Sequence, residues 1–179
     1  MKSKNTFLIL SAAIMTLTMG ATLTYAQAQL TDGQILQVVR TLNDAEIKQA
    51  NEAIDESKST DMKQVAQMII ADHEASNEQM DELLSGDLDL DDSPLQETLE
   101  AKAEATHERL QDLSGAPYDC AYLQAQVAQH EEAINTAKTQ LMPNAKNAGV
   151  TQFLTAMGPK LEHHLEMAKA AHSKAAGCG

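Results

Sequence analysis

Glu46, His73, His130 and His164 stand where an amphipathic helix would carry leucine or valine. Each falls on a stripe of apolar residues spaced three and four apart, and each belongs to a different helical segment. Three imidazoles and a carboxylate are donors that hold a divalent transition ion such as Zn, Cu, Ni or Fe. An unpaired carboxylate buried in an apolar core costs on the order of several kcal/mol. Ligation of an ion removes that cost. The alternative is a dry, metal-free cluster in which Glu46 pairs with an imidazolium and water fills the gap. The choice turns first on whether the four groups meet.

The elements that would bring them together are helices. The chain is rich in Ala, Gln, Glu, Leu and Met and has no Trp, a composition with high helix propensity. Periodicity predicts four long helices and one shorter one. The first runs from about Asp32 to Ser57, with the stripe Ile35, Val39, Leu42, Glu46, Gln49 and Ala53. The second runs from about Met62 to Leu84, capped by Thr60 or Asp61, with Met62, Val65 or Ala66, Ile69, His73, Met80 and Leu84 inward. Ser93 and Pro94 start a shorter helix that ends near Leu113. The next long helix, from about Tyr118 to Met142, turns Leu123, Val127, His130, Ile134, Ala137 and Leu141 inward, and Pro143 stops it. The last, from about Val150 to Ala175, has the stripe Val150, Leu154, Met157, Leu161, His164, Ala168 and Ala171. Pro159 interrupts it, and Gly158 favours a local kink there.

Glu46 and His73 are equidistant from the first turn, and His130 and His164 from the last. Side chains equidistant from a helical hairpin's turn sit side by side. All four groups should therefore converge near mid-helix. The fold class this predicts is all-α: a four-helix bundle with an additional short helix in the long connection between its second and third long helices.

Asp72, Tyr122 and His163 are candidates for supporting contacts around such a site. Asp72 directly precedes His73 and could orient an imidazole of another helix; a solvated carboxylate is the simpler reading. Tyr118 and Tyr122 begin the third long helix, about 12 Å by helical rise from its mid-point, and packing at the bundle end suits them. His163 lies about 100° around the helix from His164 and faces solvent or a helix edge. His107 and His172 have no partner legible in the sequence. Cys120 opens one helix and Cys178 follows its antiparallel neighbour. A disulfide is expected, with free or soft-metal-binding thiols as the alternative.

The chain opens MKSK, followed by FLILSAAIMTLTMGATLTYA and then Ala26-Gln27-Ala28. A basic start, an apolar run and an A-x-A pattern read as a secretory signal peptide over residues 1–28, cleaved after Ala26 or Ala28. The rival is an uncleaved membrane anchor. The expected domain is then 30–179, in the periplasm or otherwise exported to the cell envelope, with no stable membrane insertion after cleavage. The formal net charge is −13, and the leader holds Lys2 and Lys4 but no acid, so the remainder is still more acidic. Such a domain repels nucleic acid and anionic lipid. The nine methionines scatter over leader and core stripes and read as core filler rather than a copper-binding run.

Taken together, ADHE in the second helix, PYDCAYLQAQVAQH at the third long helix and LEHHLEMA in the last resemble an exported bacterial family, domain of unknown function 4142 (DUF4142), placed among ferritin-like folds. The family's patterns read as an Asp-His pair, an aromatic-Asp-x-x-Tyr segment with a His eight residues after the Tyr, and a His-His pair. Here they are Asp72-His73, Tyr118-Asp119 and Tyr122 with His130, and His163-His164. The resemblance implies a ferritin-like bundle and an exported compartment, and it carries no activity. Ferritin-like topology would reverse the second hairpin relative to the first, and the connection from Ser85 to Pro117 is long enough to cross the bundle. Ferritins and di-iron oxidases use Glu-x-x-His twice with further Glu. The residues three before His73, His130 and His164 are Ile70, Val127 and Leu161, which argues against a di-iron centre.

Three functions follow from these readings. The first is an exported bundle holding one transition-metal ion through Glu46, His73, His130 and His164. The second is a metal-free envelope module for structural or protein contacts, with the same residues as a packed polar core. A redox or hydrolytic enzyme with an open metal position ranks last, since the sequence supplies neither nucleophile nor substrate pocket.

Overall fold

Thr31 begins the first helix as a capping box. Its hydroxyl accepts from the Gln34 N–H, while its own N–H donates to Gln34 Oε1. In the computed structural model, which describes residues 29–175 and 178, this cap opens α1 (Asp32–Glu56). Ser59, rather than Thr60 or Asp61, caps α2 (Thr60–Leu84) through its hydroxyl. The serine precedes both candidates and already reaches the Met62 N–H. Ser93 and Pro94 open α3 (Pro94–Gln111) as expected. α4 (Ala116–Thr136) continues into a π-helical turn, Ala137–Leu141, closed by the Met142 N–H on the Ala137 carbonyl at 2.9 Å. Asn147 caps α5 (Ala148–Lys174). The expected signal peptide lies outside the described residues. Among the described residues, no helix is long and apolar enough to cross a membrane.

Pro159 does not interrupt α5, which is one continuous helix of 27 residues. A single proline removes one backbone hydrogen bond, and the turns on either side hold the helix together.

α1 and α2 pack antiparallel: Arg40 meets Asp81, and Asp44 meets Asn77. α4 and α5 do the same, with Lys138 on Glu162 and Lys169 on Glu131. α3 runs alongside α1 in the same direction, as the contacts Gln34–Asp92, Gln49–Ala103 and Glu52–His107 show. It carries the chain from one end of the fold to the other, so α4 starts where α1 finishes. Asp32, at the start of α1, accepts from the backbone N–H groups of Lys146 and Asn147. That contact ties the turn between α4 and α5 to the first helix. His107 does have a partner: its Nδ1 lies 3.0 Å from the Glu52 carboxylate, with Gln111 on its other nitrogen.

The apolar core is in two parts. At one end Ile35, Leu36, Val39, Met80, Leu141 and Leu154 pack together. At the other, Ala50, Met62, Ile69, Leu110, Tyr122 and Leu123 do. A layer of buried polar residues lies between them, and it holds all four residues singled out above.

Two stability predictions arise here. A Cβ added at Gly33 would stand 2.2 Å from the Asp89 carbonyl oxygen, so Gly33→Ala forces loop backbone away from α1. A loss of about 1–3 kcal/mol in denaturant unfolding is expected. Cys120 and Cys178 form a disulfide, with Cα atoms 5.3 Å apart at a sequence separation of 58. Reduction, or Cys120→Ser, is expected to cost about 2–4 kcal/mol by loss of the chain constraint, read as a lower denaturation midpoint with and without a dithiol.

Candidate metal centre

The four long helices each deliver one of the expected residues to the polar layer. His130 and His164 are 1% exposed and Glu46 and His73 6%. The imidazole centroids are 5.2 Å apart for His130–His164, 5.4 Å for His73–His164 and 6.1 Å for His73–His130. One ligand nitrogen from each of these three rings lies within 4.8 Å of the other two. Glu46 stands beside this set and lines the same cavity as His73 and His130. Its Oε2 accepts from Gln126 Nε2 at 2.7 Å.

The hydrogen bonds around the rings fix their tautomers. The Asp44 carboxylate can only accept, so Asn77 Nδ2 donates to it at 2.8 Å. Asn77 Oδ1 is then an acceptor, and Asn43 Nδ2 donates to it at 2.8 Å and to Ser76 Oγ at 3.0 Å. Asn43 Oδ1 is left to accept, so His73 Nδ1, 2.8 Å away, carries the proton. His130 Nδ1 donates to the Gln126 carbonyl at 3.0 Å. His164 Nε2 donates to Asp72 Oδ2 at 2.9 Å, while Lys160 holds the other Asp72 oxygen at 3.1 Å.

A neutral imidazole has one N–H. With those protons committed, the lone pairs sit on His73 Nε2, His130 Nε2 and His164 Nδ1. His73 Nε2 is buried with no partner. His130 Nε2 and His164 Nδ1 face each other at 3.1 Å. Two lone pairs at that distance repel unless a cation, proton or metal, sits between them. The outer contacts are those that orient metal-bound histidines: a carboxylate, a backbone carbonyl and an amide.

The electrostatics favour the neutral form of His73 and His164. Burial, reinforced by the charges His130 and His164 would carry, depresses His73 to about 3. Burial also lowers His164, against the opposing pull of Asp72. For Asp72, burial acts upward, but the hydrogen bonds from His164 and Lys160 outweigh it and hold the carboxyl below its usual range. Burial raises Glu46, partly offset by His130 and Gln126.

Of the supporting candidates, Asp72 makes the expected contact, from α2 to the imidazole on α5. His163 is exposed and touches no ring of the cluster. Tyr122 is fully buried in the apolar end of the core, stacked on Tyr118 at 6.2 Å, and its hydroxyl has no partner. Burial, then the nearby Glu46 charge, raises that phenol well above its ordinary value. His172 stands 3.8 Å from Cys120 Sγ. Asn43, Asn77 and Gln126 were missed. Asn43 precedes Glu46 by three residues and Gln126 precedes His130 by four, so helical spacing from the chosen donors points to both. Asn43→Leu removes the acceptor for His73 Nδ1 while keeping volume, and is expected to weaken binding of a metal at the cluster by about 10–100-fold in a zinc titration.

Among the described residues, five α-helices and a buried cluster of three histidines that could hold an ion define an all-helical fold with a potential metal site. The chain belongs to the family described as a domain of unknown function (DUF4142), which matches residues 18–171. No curated protein and no solved structure matches it.

Proposed function

We propose that this chain is an exported, ferritin-like four-helix bundle that holds one divalent transition-metal ion in its core. The observation that carries the reading is a buried group of three imidazoles, one ligand nitrogen of each within 4.8 Å of the other two, whose N–H groups are engaged by outer partners. Such a set offers an ion neutral nitrogen donors already turned toward it. Glu46, which lines the same cavity but lies outside the group of three, is the nearby anionic donor that a bound ion would draw in, through the oxygen that Gln126 does not engage. Ligand type accommodates Zn, Cu, Ni or Fe. The leader and the disulfide support export. No residue in the cluster is placed as a nucleophile, and binding, carriage or structural use of the ion fits better than catalysis.

A second reading is a metal-free envelope module. The 3.1 Å contact between His130 and His164 favours it, because one added proton shared between those nitrogens also relieves their repulsion. Elemental analysis of protein exported and purified without an affinity tag separates the two. One ion per chain, lost in both His73→Ala and His130→Ala, supports the metal site. No metal, together with melting unchanged by a chelator, supports the module.

A further inference from the structure

Between the histidine cluster and one end of the apolar core lies a cavity of ≈ 40 Å³. His73, His130 and Glu46 form one side of it. Val39, Leu42, Ala133, Leu141, Met157 and Leu161 form most of the rest. Leu141 belongs to the π-helical turn, a break in α-helical geometry of the kind found beside functional sites. A second cavity meets the cluster from the groove between α2 and α5 and is the more polar of the two, with Asp72, Gln79, Lys160 and His164 beside Phe153 and Met157. The site thus has a more polar approach and a more apolar one, with His73 on both.

Size and wall chemistry restrict what the apolar chamber accepts. A single water needs about 10–15 Å³ of such volume, and an apolar cavity of about 150 Å³ stays dry and takes benzene or xenon. A chamber of ≈ 40 Å³ therefore suits a molecule of two heavy atoms. Asn43, Gln129 and Thr136 also border the chamber, but most of its exposed wall is aliphatic and gives water few partners, and the Glu46 carboxyl opposes an anion. Three imidazoles and one carboxylate leave an ion that takes five or six donors, such as Fe(II), with an unfilled position.

We propose that this chamber admits a small neutral diatomic of low polarity, of the dioxygen or nitric oxide class, to the ion held by the histidine cluster. The proposal rests on the metal reading above and adds its exogenous ligand. The step is association only: the diatomic occupies the unfilled position, and no bond in the protein forms or breaks.

Two probes test it separately. Xenon, an apolar atom that needs no metal, is expected in the chamber in xenon-pressurised crystals of the metal-free protein. Leu42→Ala, which widens the chamber, should increase its occupancy. Nitric oxide added to the ferrous-loaded protein is expected to give the half-integer spin signal of an iron-bound nitrosyl. Ala133→Leu, which fills the chamber, should weaken that binding about tenfold or more at unchanged iron content, and azide should not compete. Absence of xenon in both the wild type and Leu42→Ala overturns the chamber. Xenon present but nitric oxide unbound at full iron content overturns the ligand assignment alone. Failure of the wild type to retain iron, zinc or copper overturns the metal reading and this proposal with it.

Discussion

Zinc added to the metal-free protein at about a hundredfold excess over its dissociation constant is expected to raise the melting temperature by about 5–10 °C. His73→Ala, His130→Ala and His164→Ala should each abolish most of that rise. The reason is mass action: an ion that binds only the folded chain stabilises it by about 2.7 kcal/mol at that excess. Loss of one nitrogen from a cluster of three leaves a donor set that no longer encloses the ion. His163→Ala is the control. That ring adjoins His164 in sequence but is exposed, so its removal should leave the zinc-dependent rise intact. Thermal scans on the four variants, with and without zinc, check the prediction.

The second large effect is acid sensitivity of the metal-free protein. His73 is depressed from 6.5 in the unfolded chain to about 3 in the fold. Its contribution is fully present above 6.5 and is lost as pH falls, because the unfolded chain takes up the proton first. The slope is about 1.4 kcal/mol per pH unit. Over that window the loss reaches roughly 4–5 kcal/mol, comparable to the whole stability of many domains. His164 is also depressed and acts in the same direction. Glu46 acts oppositely. Its folded value is raised above 4.5, so its contribution is present below 4.5 and lost as pH rises through the folded value. While Glu46 titrates it offsets part of the histidine loss, so the wild type should weaken less steeply with acid than a variant without that carboxyl. Asp72, lowered from 3.8, adds a further loss below that value. Lys160 reaches the Asp72 carboxylate from α5. In Glu46→Gln the offset is gone, and destabilisation should begin near pH 6.5. Urea midpoints of wild type and Glu46→Gln between pH 7 and 4 measure the difference.

Much of this arrangement was legible in the sequence because it depends on helical spacing alone. Glu46, His73, His130 and His164 sit at helix heights set by counting from a turn, and the fold keeps those heights. The supporting contacts were less accessible. On α1 the buried face is wider than one stripe, since the helix packs on both α2 and α3, and it takes in Asn43, Leu36 and Val38. On α4 the inward face falls on Tyr122, Gln126 and His130, with Val127 and Ile134 only half-buried. The π-helical turn then shifts the register so that Leu141 still points inward. A regular 3.6-residue count does not anticipate that insertion. Nor does periodicity report tautomers, which depend on a chain of amide and carboxylate partners drawn from α1 and α2. The path through Pro159 also went against local propensity, because packing along the whole of α5 outweighs one missing backbone bond.

The central claim is that three neutral imidazoles present lone pairs to one point. Long-range nitrogen–proton correlation spectra of the histidine rings, recorded on metal-free protein and again with zinc, test it most directly. Protons are expected on Nδ1 of His73 and His130 and on Nε2 of His164. Zinc should shift the three opposite nitrogens together and leave those of His163 in place. Protons found on His73 Nε2 and His130 Nε2, or a spectrum that zinc does not move, would contradict it.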